Sequence, residues 1–237
     1  KVYFLIQGWD HPASRYRVLQ YIPYLKESQI ESKVALFPDS FCKWMKLFSE
    51  IQDYDIIFIQ KKRLWHWQLW YLKRKHIKIL YDFDDAVMFK SPVNGGGRSF
   101  KRRRTFARMV RYSNRVIAGN QYLKMHALSY NKNIIIIPTA IDTSKYTMKD
   151  YIRNKEKVTI GWIGSKSSLP FLKELTPAFD HLASQHEAIE LKIICNDFFE
   201  CKTMPVIKKI WSLEDENQDL QDIDIGLAPL PNHEWTK

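Results

Sequence analysis

The chain has 237 residues, 45 % hydrophobic and 27 % charged, which is enough apolar material for one large core or two modest ones and excludes a disordered or collagen-like chain. Its longest apolar runs, 134–137 and 2–6, fall far short of the ~20 residues a bilayer span needs, and no cleavable signal precedes the first strand-like run, so a soluble, cytoplasmic protein is expected. Three cysteines, Cys42, Cys195 and Cys201, form no C-x-x-C pair and have no histidine at zinc spacing, so neither a disulfide framework nor a metal site is indicated.

The formal net charge of +11 is local. Residues 1–150 hold 27 Lys and Arg against 12 Asp and Glu, whereas residues 151–237 hold 10 against 14. Two stretches, 61–78 with seven basic residues and 98–115 with eight, contain no acid at all. Such an asymmetry implies a face built for an anionic partner: nucleic acid, an acidic membrane surface or a phosphorylated substrate.

Taken in chain order, short runs rich in Val, Ile, Phe and Tyr alternate with helix-length segments, the pattern of a parallel α/β sheet. Strands are predicted over 2–7, 33–37, 55–60, 77–82, 115–118 and 133–137. Most are apolar on both alternating faces, as strands covered by helices on each side must be. Helices are predicted over 14–28, where Pro23 should kink or shorten it, and over 64–75, 100–112 and 121–130. The polar stretch 143–157 reads as a linker. The pattern then restarts with a strand over 158–163 and a helix over 168–184, which Pro177 should kink or split. Strands over 191–195 and 223–229 follow, with 206–211 as a weaker third. The expected fold is therefore α/β, with two Rossmann-like doubly wound parallel-sheet domains: 1–142, and after the linker 158–237. The second has fewer elements and no closing helix, so the chain is expected to continue past it.

Open parallel sheets bind ligands at the carboxyl ends of their strands. After the first strand, Gly8-Trp9-Asp10-His11-Pro12-Ala13-Ser14-Arg15-Tyr16-Arg17 runs into a helix with Ser14 as candidate N-cap. Beside that helix start, Arg15 and Arg17 form a candidate anion site; the plainer reading is a cap with solvated arginines. After the fourth strand, Asp82, Asp84 and Asp85 crowd three carboxylates into four residues. That repulsion needs compensation: a D-x-D metal site, a sugar or acceptor hydroxyl, or a helix cap and an arginine partner. In the second module, Gly164, Ser165, Lys166, Ser167 and Ser168 join a strand to a helix and offer N–H, hydroxyl and ammonium donors to a diphosphate. The spacing fits neither a Walker A loop nor G-x-G-x-x-G, and a plain capped turn is the alternative. The basic stretches interleave Trp65, Trp67 and Trp70 with cations, and place Arg102, Arg103 and Arg104 in an aromatic-bearing helix. This suits a membrane interface or stacking on single-stranded nucleic acid, or simply an amphipathic helix with a solvated outer face.

Five segments, in order, resemble the retaining, GT-B-fold glycosyltransferases of family 4, in a bacterial branch: Ala13-Ser14-Arg15-Tyr16-Arg17, Ile79-Leu80-Tyr81-Asp82-Phe83-Asp84-Asp85-Ala86, Ile134-Ile135-Ile136-Ile137-Pro138-Thr139-Ala140-Ile141-Asp142, Ile160-Gly161-Trp162-Ile163-Gly164-Ser165, and Asp222-Ile223-Asp224-Ile225-Gly226-Leu227-Ala228-Pro229-Leu230. The family's Asn-Gly before Val-Asp is Thr139-Ala140 here, and its frequent histidine after the fourth strand is replaced by the aspartate cluster. Its Glu-x₇-Glu-type donor segment is absent, and His233-Glu234-Trp235-Thr236-Lys237 looks like the approach to it, so the chain is expected to be a fragment of a longer one. The resemblance implies two domains facing a cleft and transfer from a nucleotide-sugar to a glycan or lipid-linked acceptor with retention, in cell-surface polysaccharide synthesis. It implies no metal or other cofactor and no nucleic-acid partner, and a cytoplasmic protein peripheral on the inner face of the plasma membrane. By this resemblance Lys166, Gly164, Ser165 and Ser167 bind the donor, with Arg15 and Arg17 assisting from the first domain. Asp84 or Asp85 orients a hydroxyl, and Ser14, Tyr16 and Asp82 lie on the acceptor side. The alternative is a basic α/β protein that binds nucleic acid or an anionic membrane without transferring anything.

Overall fold

The computed structural model describes residues 1–91, 95–149 and 156–236. The chain divides into two compact units, Lys1–Ile141 with His233–Lys237, and Asp142–Asn232.

The first unit is built on a six-stranded, wholly parallel sheet of order β2-β1-β3-β4-β5-β6. Its strands are β1 (Val2–Ile6), β2 (Ser32–Leu36), β3 (Ile56–Gln60), β4 (Lys78–Phe83), β5 (Arg115–Ala118) and β6 (Ile134–Ile136). All six agree with the predicted strands to within a residue or two at each end. Both faces of the central strands are buried, as the unbroken apolar runs require. Tyr3, Leu5, Ile57, Ile59, Ile79 and Tyr81 join one core, whereas Phe4, Ile6, Phe58 and Ile117 join a second on the other face. The larger core is roofed by α3 (Phe41–Glu50), α4 (His66–Arg74), α5 (Phe100–Tyr112) and α6 (Gln121–Leu128). The opposite face takes Val18 and Leu19 from the turn that follows α1 (Pro12–Arg17), and Ile22 and Leu25 from α2 (Ile22–Glu27). Each fully buried Leu, Ile or Phe contributes roughly 1.5–3 kcal/mol of transfer free energy.

The single helix predicted over 14–28 is two: Pro23 sits in the first turn of α2, where its missing N–H costs nothing. Helix α3 lies in a stretch given no element by the sequence pattern, although Ser40 caps it through Lys43 N and Trp44, Leu47 and Phe48 line its buried face.

The second unit has a four-stranded parallel sheet of order β10-β7-β8-β9. Its strands are β7 (Val158–Ile163), β8 (Ile189–Ile194), β9 (Val206–Lys209) and β10 (Ile225–Gly226). Its core gathers Trp162, Leu191 and Ile193 with Leu169, Leu172 and Phe179 of α7 (Leu169–Lys173) and α8 (Thr176–Gln185). Pro177 splits the predicted 168–184 helix by opening α8. A short acidic helix, α9 (Glu216–Gln221), was not predicted; its Asp219, together with Asp222, neutralises buried Lys192 of β8 at 3.0 and 2.8 Å.

Two domain boundaries differ from expectation. The described part of the predicted linker, 143–149, is fastened to the second unit, through Tyr146 Oη to Glu216 and Lys149 Nζ to Asp224; residues 150–155 of that linker lie outside the described residues. The last described residues belong to the first unit rather than to the second. There Tyr122 Oη donates to the Glu234 carbonyl at 2.9 Å and Gly97 N to His233 Nε2 at 3.3 Å.

Candidate functional site

A parallel sheet brings all its strand ends to one edge, so the segments after β1, β3, β4 and β6 of the first unit meet. Arg17 lies at the end of α1 with its side chain only 3 % exposed. Its Nε donates to both Asp82 oxygens, at 3.1 and 2.9 Å, and its Nη1 to the Ile137 carbonyl at 2.9 Å and Thr139 Oγ1 at 3.0 Å. Burial works against the Arg17 charge, yet the Asp82 contact outweighs it and raises its pKa. This corrects two expectations. Arg17 places its Nε and Nη1 donors inside the fold instead of in an open anion site, and Asp82, 1 % exposed, braces α1 against β4 instead of lying open to an acceptor. Thr139, where the resembled family has Asn, supplies one acceptor of this knot.

Ser14 is likewise withdrawn. It is fully buried, and its Oγ donates to Gln60 Oε1 at 2.8 Å. The N-cap of α1 is His11 instead, whose Nδ1 accepts from Ala13 N at 3.3 Å. Burial, with Lys61 next, holds His11 below the ordinary imidazole value. Arg15 stacks over the ring of Tyr16 at 5.1 Å, both half-buried.

The remaining carboxylates converge on a residue the sequence did not mark. Lys61, in a left-handed turn (φ 52°) directly after β3, places Nζ 2.8 Å from Asp84 Oδ1 and 2.8 Å from Asp85 Oδ2. Burial opposes the Lys61 charge, but Asp85 and Asp84 together raise its pKa. The aspartates differ in access: the Asp84 side chain is 18 % exposed and Asp85 50 %. Gly119 permits this packing, since a Cβ there would stand 3.0 Å from Asp84 Cα. With Asp82 on Arg17 and the other two on Lys61, the cluster's repulsion is met by cations of the chain. Among the described residues no three His, Cys, Asp or Glu side chains converge on a common point.

These groups border a cavity of about 360 Å³ whose wall includes His11, Lys61, Lys62, Arg63, Asp85 and Arg102. Arg102 is therefore turned away from its neighbours. It donates to the Phe89 carbonyl at 3.1 Å, whereas Arg103 and Arg104 are exposed, as the ~100° turn per helical residue dictates. Trp65, Trp67 and Trp70 are 64 %, 39 % and 52 % exposed. Trp67 rests on Phe41 and Phe48, and Arg74 covers Trp70 at 5.3 Å, so this is an aromatic and cationic surface on α3 and α4.

In the second unit, residues 164–168 turn from β7 into α7. Ser165 Oγ bonds to Ser167 Oγ at 2.8 Å and to Ser168 Oγ at 3.2 Å, while Lys166, 79 % exposed, pairs with Asp197 at 2.9 Å. Gly164 has a packing reason to be glycine: a Cβ would come within 2.3 Å of the Trp162 ring. Gly161 is held the same way by Ile223.

No family model matches the chain, and no curated protein matches it. Solved structures do. The chain is similar to Anabaena Alr3699/HepE in complex with UDP and glucose, at TM-score 0.64 and 15 % identity over 95 % of this chain and 73 % of that one. It is similar to a putative UDP-N-acetylglucosamine 2-epimerase from Listeria monocytogenes, at TM-score 0.61 and 12 % identity over 95 % and 73 %. A glycosyltransferase from Rickettsia africae ESF-5 follows, at 0.60 and 10 % over 95 % and 71 %. The fold is thus α/β of the GT-B type, with parallel sheets in both units. No described helix is long and apolar enough to cross a membrane.

Proposed function

We propose that the chain is a glycosyltransferase that moves a sugar from a nucleotide-sugar to a glycan or lipid-linked acceptor, with retention and without a metal, in cell-surface polysaccharide synthesis. The observation that carries this reading is the likeness over 95 % of the chain to a protein crystallised with UDP and with UDP-glucose. The family 4 resemblance of five ordered segments agrees with it. The second unit takes the donor. As the anomeric carbon becomes oxocarbenium-like, the departing diphosphate gains charge, and Lys166 with the donors of Gly164, Ser165 and Ser167 stabilises it. The first unit takes the acceptor. Asp85, half exposed and fixed by Lys61, orients a hydroxyl, with Asp84 behind it on the same ammonium. Arg15 assists in holding the donor, and Tyr16 lies on the acceptor side. The aromatic and cationic surface around Trp65, Trp67 and Trp70, with Arg103 and Arg104, holds the protein on the cytoplasmic face of an anionic membrane.

Thermal unfolding measured across a panel of nucleotides and nucleotide-sugars tests this. At least one should raise the midpoint by mass action and be consumed on adding acceptor. A flat response to the whole panel would overturn the reading. The alternative of a nucleic-acid binder predicts oligonucleotide affinity that falls steeply with salt.

A further inference from the structure

The cavity at the carboxyl edge of the first sheet carries a charge that the described residues do not balance. Four cations stand in its wall, Lys61, Lys62, Arg63 and Arg102. Lys61 is matched by Asp84 and Asp85. Among the described residues, Lys62, Arg63 and Arg102 have no carboxylate within ion-pair distance. Arg63 Nη1 donates to the Val87 carbonyl at 2.6 Å and Arg102 Nη1 to the Phe89 carbonyl at 3.1 Å. Those bonds fix the two guanidinium groups in place and neutralise neither. Burial holds Arg63 below the usual guanidinium value; Tyr81 opposes that shift, and the neighbouring Arg102 adds to it. Gathering cations in a concave, partly dry site is unfavourable unless a ligand supplies the opposite charge.

Four cations against two carboxylates leave an excess of two. A carboxylate sugar brings one negative charge, whereas a phosphate monoester brings about 1.5 to 2 near neutrality and a diphosphate no less. Guanidinium forks also suit phosphate oxygens. We infer that this cavity binds the phosphate of a phosphorylated acceptor, gripped by Arg63, Arg102 and Lys62, with Asp85 on its rim beside the hydroxyl to be glycosylated and Trp235 as the wall for the ring or chain that the phosphate carries. The acceptor role rests on the transferase reading; the anion site rests on the cavity alone. A soluble sugar phosphate and a lipid-linked diphosphate share this chemistry.

The experiment is calorimetric titration of inorganic pyrophosphate into the whole chain with saturating UDP, which keeps the donor loop occupied. Pyrophosphate should bind, at least ~10-fold more weakly to Arg63→Gln/Arg102→Gln, and with unchanged affinity to Lys166→Ala. Should the double variant fail to fold, exposed Lys62→Gln and the charge-preserving Arg102→Lys serve instead; each should weaken binding several-fold. Unchanged affinity in the arginine and lysine variants, or loss only in Lys166→Ala, overturns the site. Displacement by glucose 1-phosphate or by farnesyl diphosphate, whichever is tighter, assigns the soluble or the lipid-linked source. Displacement by glucuronate as effective as by either overturns the preference for phosphate. Pyrophosphate binding that survives when no nucleotide-sugar binds would sink the transferase reading and leave the cavity standing.

Discussion

Arg17 and Asp82 are 65 positions apart in sequence, and the guanidinium Nε lies 3.1 and 2.9 Å from the two carboxylate oxygens. Both side chains are almost wholly buried, so each charge depends on the other. Removing one partner leaves an uncompensated buried ion, at a cost of about 3–5 kcal/mol. Denaturant unfolding of Arg17→Met and of Asp82→Leu should show losses of that size, and the double variant should lose less than either. Equal loss of activity with unchanged stability would instead mean that Arg17 touches a ligand.

Lys166 behaves oppositely. Its ion pair with Asp197 is exposed on both sides and adds little to folding. Lys166→Ala should leave the thermal midpoint of the chain in place while slowing sugar transfer by about 10²–10³-fold, the usual effect of deleting one donor to a developing anion. An unchanged rate would remove Lys166 from the mechanism.

Asp85→Asn keeps the size of the side chain and removes the carboxylate best placed to meet a hydroxyl. Transfer should fall by about 10²-fold or more, with the fold intact. Lys61→Met should instead destabilise the first unit, because Asp84 loses its cation. Adding Asp84→Asn should restore part of that stability.

His11 gives the first unit an acid-sensitive joint. Burial, then Lys61, sets its folded pKa below the ordinary 6.5, so the unfolded chain takes up the proton first. Its contribution is complete above that value and declines as pH falls through 6.5 toward the lower folded pKa, where the decline stops. Unfolding midpoints at pH 7.5 and 5.0 should therefore differ less in His11→Asn, which keeps a cap acceptor for Ala13 N, than in the unaltered chain. His126, lowered for a similar reason, is present in both and drops out of the comparison.

Membrane contact is checked by sedimentation with vesicles. The chain should pellet with anionic vesicles and not with neutral ones, and less so at high salt. Trp65→Ala/Trp70→Ala should weaken it more than Arg102→Gln, whose side chain faces the cavity. Trp67 is a poor choice for this test because it also props Phe48 of the core.

The strands were legible because a strand buried on both faces must be apolar throughout, as Ile56–Gln60 and Lys78–Phe83 nearly are. The prolines were legible as breaks, since Pro23 and Pro177 each open a helix. Helix α3 carries its signal in Trp44, Leu47 and Phe48 behind Ser40, but three buried positions in ten residues make a short periodicity. The aspartate cluster was legible as a place but not as an arrangement. Which carboxylate meets Arg17 and which meets Lys61 depends on neighbouring strands, and local sequence carries no record of that. The same holds for Arg102: composition marks a basic run, while only helical phase separates the arginine that enters the cavity from the two that face solvent.

The bonds from Arg17 to Ile137 and Thr139 span 120 and 122 positions. They make the guanidinium a test of completeness during synthesis. Until the residues after β6 have left the ribosome, Arg17 lacks two of its three partner residues, and α1 has no anchor at the far side of the sheet. The first unit should therefore consolidate late and all at once, resisting proteases only in nascent chains long enough to expose Thr139.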